Sequence, residues 1–265
     1  MNLFEKNDPF VCAVISGKGG VGKSMTSVNL AAMLNDMGYR VAIIDADLGL
    51  ANCATMFGEA AHATVTHWIN GDITLEDLPQ HCGEITLVTG ADSPDEMTMS
   101  TEVLMDALDQ VTEYLKRSHD FVLIDTPAGA GEMTLWALDA ASVGIPVLVD
   151  EPAAISDIYR LCKYVYSIDP VYDFACIVNF AENQDDAQST YKRFESILGH
   201  FLDKTPAYLG FIPFHMAMRE AIQKQSPVLQ LQGNEDLVSE IEFVTQNLIS
   251  HSNKVEKPTL KLVYQ

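Results

Sequence analysis

Residues 10–24 read Phe-Val-Cys-Ala-Val-Ile-Ser-Gly-Lys-Gly-Gly-Val-Gly-Lys-Ser, an apolar run that breaks into glycines and closes on Lys23-Ser24. The run Phe10 to Ile15 predicts a buried strand, and helical spacing begins at Ser24. Gly17 to Ser24 therefore fits the phosphate-loop pattern GxxxxGKS in its strand-to-helix context. Its glycines let the backbone turn N–H groups onto phosphate oxygens, and the helix behind adds the positive end of its dipole. Lys23 can then reach the β- and γ-phosphates of a nucleoside triphosphate, and the Ser24 hydroxyl can ligate Mg²⁺. The candidate phosphate-binding set is Gly17, Lys18, Gly19, Gly20, Val21, Gly22, Lys23, Ser24 and Met25.

Outward from this loop, apolar runs alternate with helical periodicity, which predicts an α/β, doubly wound, mainly parallel sheet with helices on both faces. The first helix is expected from about Ser24 to Met37, with Val28, Ala31, Ala32 and Leu34 inward and Gly38 at its end. Strands are expected at 40–44, 85–88, 121–124, 145–149, 174–178 and 208–212, as continuous apolar runs suited to burial on both faces. Val103, Leu104, Ala107, Leu108, Val111, Tyr114 and Leu115 recur at helical spacing and predict a helix on the sheet. Residues 1–265 are expected to form one P-loop domain, with a loosely held tail from about 252 to 265.

Ligands of such sheets bind beyond the C-terminal strand ends, so the polar residues closing the runs matter most. Asp125, followed by Thr126-Pro127-Ala128-Gly129, has the form of a second metal-binding carboxylate on a γ-phosphate-sensing loop. Asp45 and Asp47 bracket one residue after the second strand; if strand geometry persisted, their side chains would diverge to opposite faces and serve different roles. Asn179 closes the run 175–178, and its amide, both donor and acceptor, suits a purine edge.

Lys18 adds a positive charge that an ordinary phosphate loop does not require. With it, GKGGVGKS resembles the deviant phosphate loop of the MinD/ParA ATPases, and the resemblance extends from about Val11 to Ile249. It implies ATP with Mg²⁺ as ligands, slow hydrolysis, and an ATP-bound homodimer in which Lys18 contacts the partner's phosphates. It also implies that Asp45 lies near Mg²⁺ with Ser24 and Asp125, that Asp47 orients the attacking water with help from Asn52, and that Asn179 contacts the base. Lys18, Lys23 and Asp47 are thus the expected catalytic residues. Phe211-Ile212-Pro213-Phe214-His215, followed by Arg219-Glu220-Ala221, resembles the segment that closes over adenine, which makes Pro213, Phe214 and His215 candidate nucleotide contacts. The stretch DADLGLAN (45–52) is most similar to the flagellar-number regulators of the FlhG or FleN branch. That branch implies a protein partner governed by nucleotide state and a cytoplasmic location with recruitment to a pole or the inner membrane face. A ParA-like DNA-segregation or cargo-positioning ATPase, and a nucleotide-binding scaffold with negligible turnover, are the competing readings.

Composition narrows these readings. Sixteen Lys and Arg face 37 Asp and Glu, a formal net charge of −21, and such a field repels phosphodiester backbones and anionic headgroups. Direct nucleic-acid binding is therefore disfavoured. The five cysteines are widely spaced without a CxxC pair, and the seven histidines lack ligand spacing, so neither a disulfide framework nor a zinc site is indicated. Leu237, Val238, Ile241, Val244, Leu248 and Ile249 form an apolar stripe whose polar face carries Glu235, Asp236, Glu240 and Glu242. That is the pattern of a helix docked on its own domain rather than on lipid. Lys254, Lys257 and Lys261 in the tail are expected to give at most a weak membrane contact.

Overall fold

The computed structural model describes residues 9–48, 51–91 and 99–255. The expectations for Gly49 and Leu50, and for the tail beyond Val255, lie outside the described residues. Among the described residues, eight strands, β1 (Phe10–Ile15), β2 (Val41–Asp45), β3 (Gln80–Cys82), β4 (Ile85–Thr89), β5 (Phe121–Asp125), β6 (Val143–Leu148), β7 (Ala175–Ala181) and β8 (Ala207–Pro213), form one sheet in the order β3-β4-β2-β5-β1-β6-β7-β8. Every pairing is parallel except β3 with β4.

The side-chain alternation of each inner strand builds two cores. Val11, Ala13 and Ile15 of β1, Ala42 and Ile44 of β2, and Val122 and Ile124 of β5 enter one. Phe10 and Cys12, Val41 and Ile43, and Phe121 and Leu123 enter the other. Successive residues point to opposite faces, so continuous apolar runs need helices on both sides. The first core is covered by α4 (Thr101–Leu115), α5 (Glu132–Ala140), α6 (Pro152–Ile168) and α7 (Gln184–Leu202). The second is covered by α1 (Lys23–Asp36), α8 (Met216–Lys224) and α9 (Glu235–Ser252). Short α2 (Cys53–Met56) and α3 (Val65–Ile69) lie in the connection from β2 to β3.

One strand escapes the sequence reading and two expectations need correction. Antiparallel β3 has no apolar run, because only Cys82 of its three residues is buried, so hydropathy carries no signal for it. Val103 is 44 % exposed while Leu104 is buried: the buried stripe of α4 begins one residue later. β7 continues past Asn179 to Ala181, which places Phe180 inside the strand.

The acidic-faced C-terminal helix is docked as its pattern implies. Leu237, Ile241, Val244 and Leu248 of α9 are fully buried, and Asn247 donates to the Leu209 carbonyl of β8 at 2.9 Å. No described helix is long and apolar enough to cross a membrane. Ile241→Ala should lower unfolding free energy in urea by about 2–5 kcal/mol, the cost of an emptied core site; a change within experimental error would mean that α9 is not a structural helix.

Candidate functional site

Because β1, β2, β5 and β7 are parallel, their C-terminal ends meet on one edge of the sheet. There the Asp125 carboxylate, fully buried, gathers the first turns of α1. It accepts from Lys23 Nζ at 3.2 Å, Ser24 Oγ at 2.6 Å and Ser27 Oγ at 2.7 Å. Lys23 is itself buried, so cation and carboxylate offset each other's desolvation. Asp125 does not cap the helix that follows, since α5 begins only at Glu132 with Gly131 as its N-cap. The signal for Ser27 was its place one turn after Lys23 on the same helix face.

Asp45 lies beside this group. Its Oδ2 accepts from the backbone N–H groups of Asn52 and Cys53, both at 2.9 Å, and its Oδ1 from that of Asp47 at 3.2 Å. Strand geometry ends at Asp45, so the expected strand-like divergence from Asp47 is replaced by a loop folded back over the first carboxylate. Burial, and then the nearby Asp125 charge, push the Asp45 carboxyl up from 3.8 to about 6. Asp47, half-buried at the cavity, is also raised by burial, against the lowering pull of Lys23. Ligand atoms of Asp45, Cys53 and Asp125 lie within 4.8 Å of one another. With the Ser24 hydroxyl, the two carboxylates supply the hard oxygen donors that Mg²⁺ takes.

Above these residues is a cavity of about 310 Å³. Lys18, Gly19, Gly20, Val21, Gly22, Lys23, Ser24, Met25, Asp47, Asn52 and Asn179 of the expected set line it. Gly17 does not: a Cβ there would sit 2.5 Å from the Ile158 N of α6, so this glycine admits a packed helix. Pro213, Phe214 and His215 are also absent from the lining. Phe214 is 68 % exposed, and the His215 ring is occupied in capping α8, accepting from Ala217 N at 3.1 Å. Phe180, Met218 and Ile222 form that wall instead.

Asn179 Nδ2 donates to the Val21 carbonyl at 2.8 Å, tying β7 to the phosphate loop. Its buried Oδ1 has no partner among the described residues, an unmet acceptor on a residue that lines the cavity. Gly22, at φ +85°, permits this approach, since a Cβ would fall 2.2 Å from Asn179 Nδ2 and 3.1 Å from Phe180 Cζ. Phe180 itself has φ +60°, a left-handed conformation costing a bulky residue on the order of 1–3 kcal/mol. At the rim, Lys18 Nζ lies 2.7 Å from Glu151 Oε2, with both side chains about half exposed (51 % and 54 %). The hydrogen bond to Glu151 raises the Lys18 pKa, but a pair so open to solvent is readily exchanged.

Comparison with known proteins agrees with this geometry. A ParA family model, described as NUBPL iron-transfer P-loop NTPase, matches residues 9–249. The antiactivator FleN of Pseudomonas aeruginosa is 34 % identical over 221 residues, covering 83 % of this chain and 79 % of that protein. The flagellum site-determining protein YlxH of Helicobacter pylori is 29 % identical over 259 residues, 97 % of this chain and 86 % of that one. Among solved structures, the septum site-determining protein MinD of Pyrococcus horikoshii, complexed with Mg-ADP, superimposes with a TM-score of 0.75 at 21 % identity, covering 93 % and 98 % of the two chains.

The raised Asp45 carboxyl has a measurable consequence in nucleotide-free protein. Its native pKa, about 6 against 3.8, means that the folded state keeps a proton the unfolded chain has released. Stability therefore falls as pH rises between those values, by an amount on the order of 3 kcal/mol. Carboxyl ¹³C NMR should place the Asp45 midpoint near 6; a midpoint near 4 would show that water reaches the carboxylate.

Proposed function

The chain belongs to the ParA family of P-loop NTPases, and on that premise we propose that it is a switch ATPase that dimerises with ATP and controls the placement or number of a cellular assembly, the flagellum foremost. Its ligands are ATP and Mg²⁺. The observation that carries the reading is the pairing of a buried lysine, Lys23, on the metal-site carboxylate with a second lysine, Lys18, left at the cavity rim. The names of FleN and YlxH, one an antiactivator and one a flagellum site-determining protein, support the flagellar assignment.

Each residue's contribution follows from its position. Lys23 exchanges Asp125 for β- and γ-phosphate oxygens, and the loop N–H groups accompany it. Ser24, Asp125 and Asp45 would hold Mg²⁺, which supplies charge neutralisation between the phosphates. Asp47 orients the water that attacks the γ-phosphorus, and Asn52 flanks it. Asn179 offers its free Oδ1 to the adenine amino group. Lys18 leaves Glu151 and reaches across to the partner's phosphates, so the bound triphosphate joins two copies until hydrolysis removes the γ-phosphate.

The state with ATP presents a protein partner with a surface that the state with ADP lacks, and the molecule works in the cytoplasm with recruitment to a pole. A net charge of −21 works against DNA as the track or cargo.

Two experiments test this reading. Oligomeric mass should be that of a monomer with ADP and a dimer with ATP, and Lys18→Ala should stay monomeric while still binding ATP. Cells carrying Lys18→Ala as the sole copy should show altered flagellar number or position; unchanged flagella would remove the flagellar assignment. In single-turnover hydrolysis, Asp47→Ala should keep ATP-dependent dimerisation and lose roughly 100-fold or more in rate, the usual scale for a lost proton-handling group. Equal rates in variant and wild type would leave a nucleotide-binding scaffold.

A further inference from the structure

We propose that Phe180 is the base-stacking residue of this site and the one that separates ATP from CTP. The inference rests on the ATP reading and concerns the wall of the cavity that Asn179 and Phe180 line beside Gly22. β7 and β8 change register between Asn179 and Ala181, so Phe180 sits on a bulge, a device that re-aims one side chain. Its φ of +60° is the backbone form of that re-aiming. Phe180 lines the cavity, its Cζ would lie a tight 3.1 Å from a Cβ on Gly22, and it remains 41 % exposed.

An apolar ring left open to water in a strained conformation suggests a missing partner. Phe214 meets the ring edge-on rather than stacked, with centroids 6.5 Å apart and planes at 72°, a geometry that does not use up both faces. The next residue back in the chain is Asn179, buried, with Oδ1 unpartnered. The two neighbours divide recognition of the base. An acceptor oxygen pairs with the amino group of adenine or cytosine and meets carbonyl oxygens on guanine and uracil. An aromatic face stacks better on the two fused rings of a purine than on one pyrimidine ring. Only adenine satisfies both.

The test is calorimetric titration of wild type and Phe180 variants with ATP, CTP, GTP and inorganic tripolyphosphate, each with Mg²⁺. Phe180→Ala should bind ATP about 10-fold more weakly, within the roughly 5- to 150-fold range of a lost aromatic–base stack. Tripolyphosphate affinity should be unchanged. The preference for ATP over CTP should shrink towards one, while the preference for ATP over GTP, set by Asn179, should persist. Phe180→Tyr should behave as wild type. Phe180→Gly relaxes the left-handed backbone, so it should be at least as thermally stable as Phe180→Ala and bind ATP equally weakly, which separates the ring from any folding defect. Phe180→Ala binding ATP within twofold of wild type, or losing ATP and tripolyphosphate alike, would overturn the assignment while leaving the ATPase reading in place. Wild type binding tripolyphosphate but showing no preference for ATP over it would overturn the stacking proposal, and wild type binding neither would remove both readings.

Discussion

The carboxylate of Asp125 is the point on which the site is assembled. It stands at the end of β5, next to β1 in the sheet, where a parallel register carries Val14 opposite Asp125 and so brings the phosphate loop beside it. Lys23, Ser24 and Ser27 all donate to it, which fixes the start of α1 and hence the direction of the loop N–H groups. A buried lysine without this partner would face a desolvation penalty of several kcal/mol. The geometry that stores Lys23 before nucleotide arrives is thus the geometry that presents it afterwards.

Much of this was legible in the sequence because the chemistry sits where hydropathy changes. The run that ends at Ile15 and the run that ends at Ile124 each stop at a strand end, and a parallel sheet brings such ends together. Asn179 was legible by the same logic. Phe180, one residue later, was not: its direction depends on the β7–β8 register shift, a property of two strands that no single stretch encodes. Phe214 and His215 follow the end of β8 at Pro213 and are absent from the cavity lining, a placement that again depends on how two strands pair.

Asp45 shows a different limit. A carboxylate after a strand reads equally as a metal ligand or a loop cap, and here it accepts three backbone N–H groups while lying in a cluster whose ligand atoms are close enough to hold a metal ion. Cys53, the residue it caps, is buried in the same cluster, and nothing in its spacing from other cysteines marks it. The five cysteines are all buried and free, as packing residues without a disulfide framework would be.

The acidic surface and the anionic ligand pose an apparent conflict. At cellular ionic strength charges are screened beyond about 8 Å, so a net charge of −21 acts weakly on a phosphate already inside the loop. Within that distance the count differs: Lys18, Lys23 and the loop N–H groups face the cavity, and Asp45 and Asp125 lie below it. Two buried carboxylates against one buried lysine leave a local negative excess, and the Asp45 carboxyl is pushed up towards its neutral form by burial first and by the Asp125 charge second. A divalent cation held by these carboxylates would supply the charge that reverses that excess. On the proposed metal roles of Asp45 and Asp125, the same arrangement would disfavour triphosphate alone and favour it with Mg²⁺, coupling metal and nucleotide at the ends of β2 and β5.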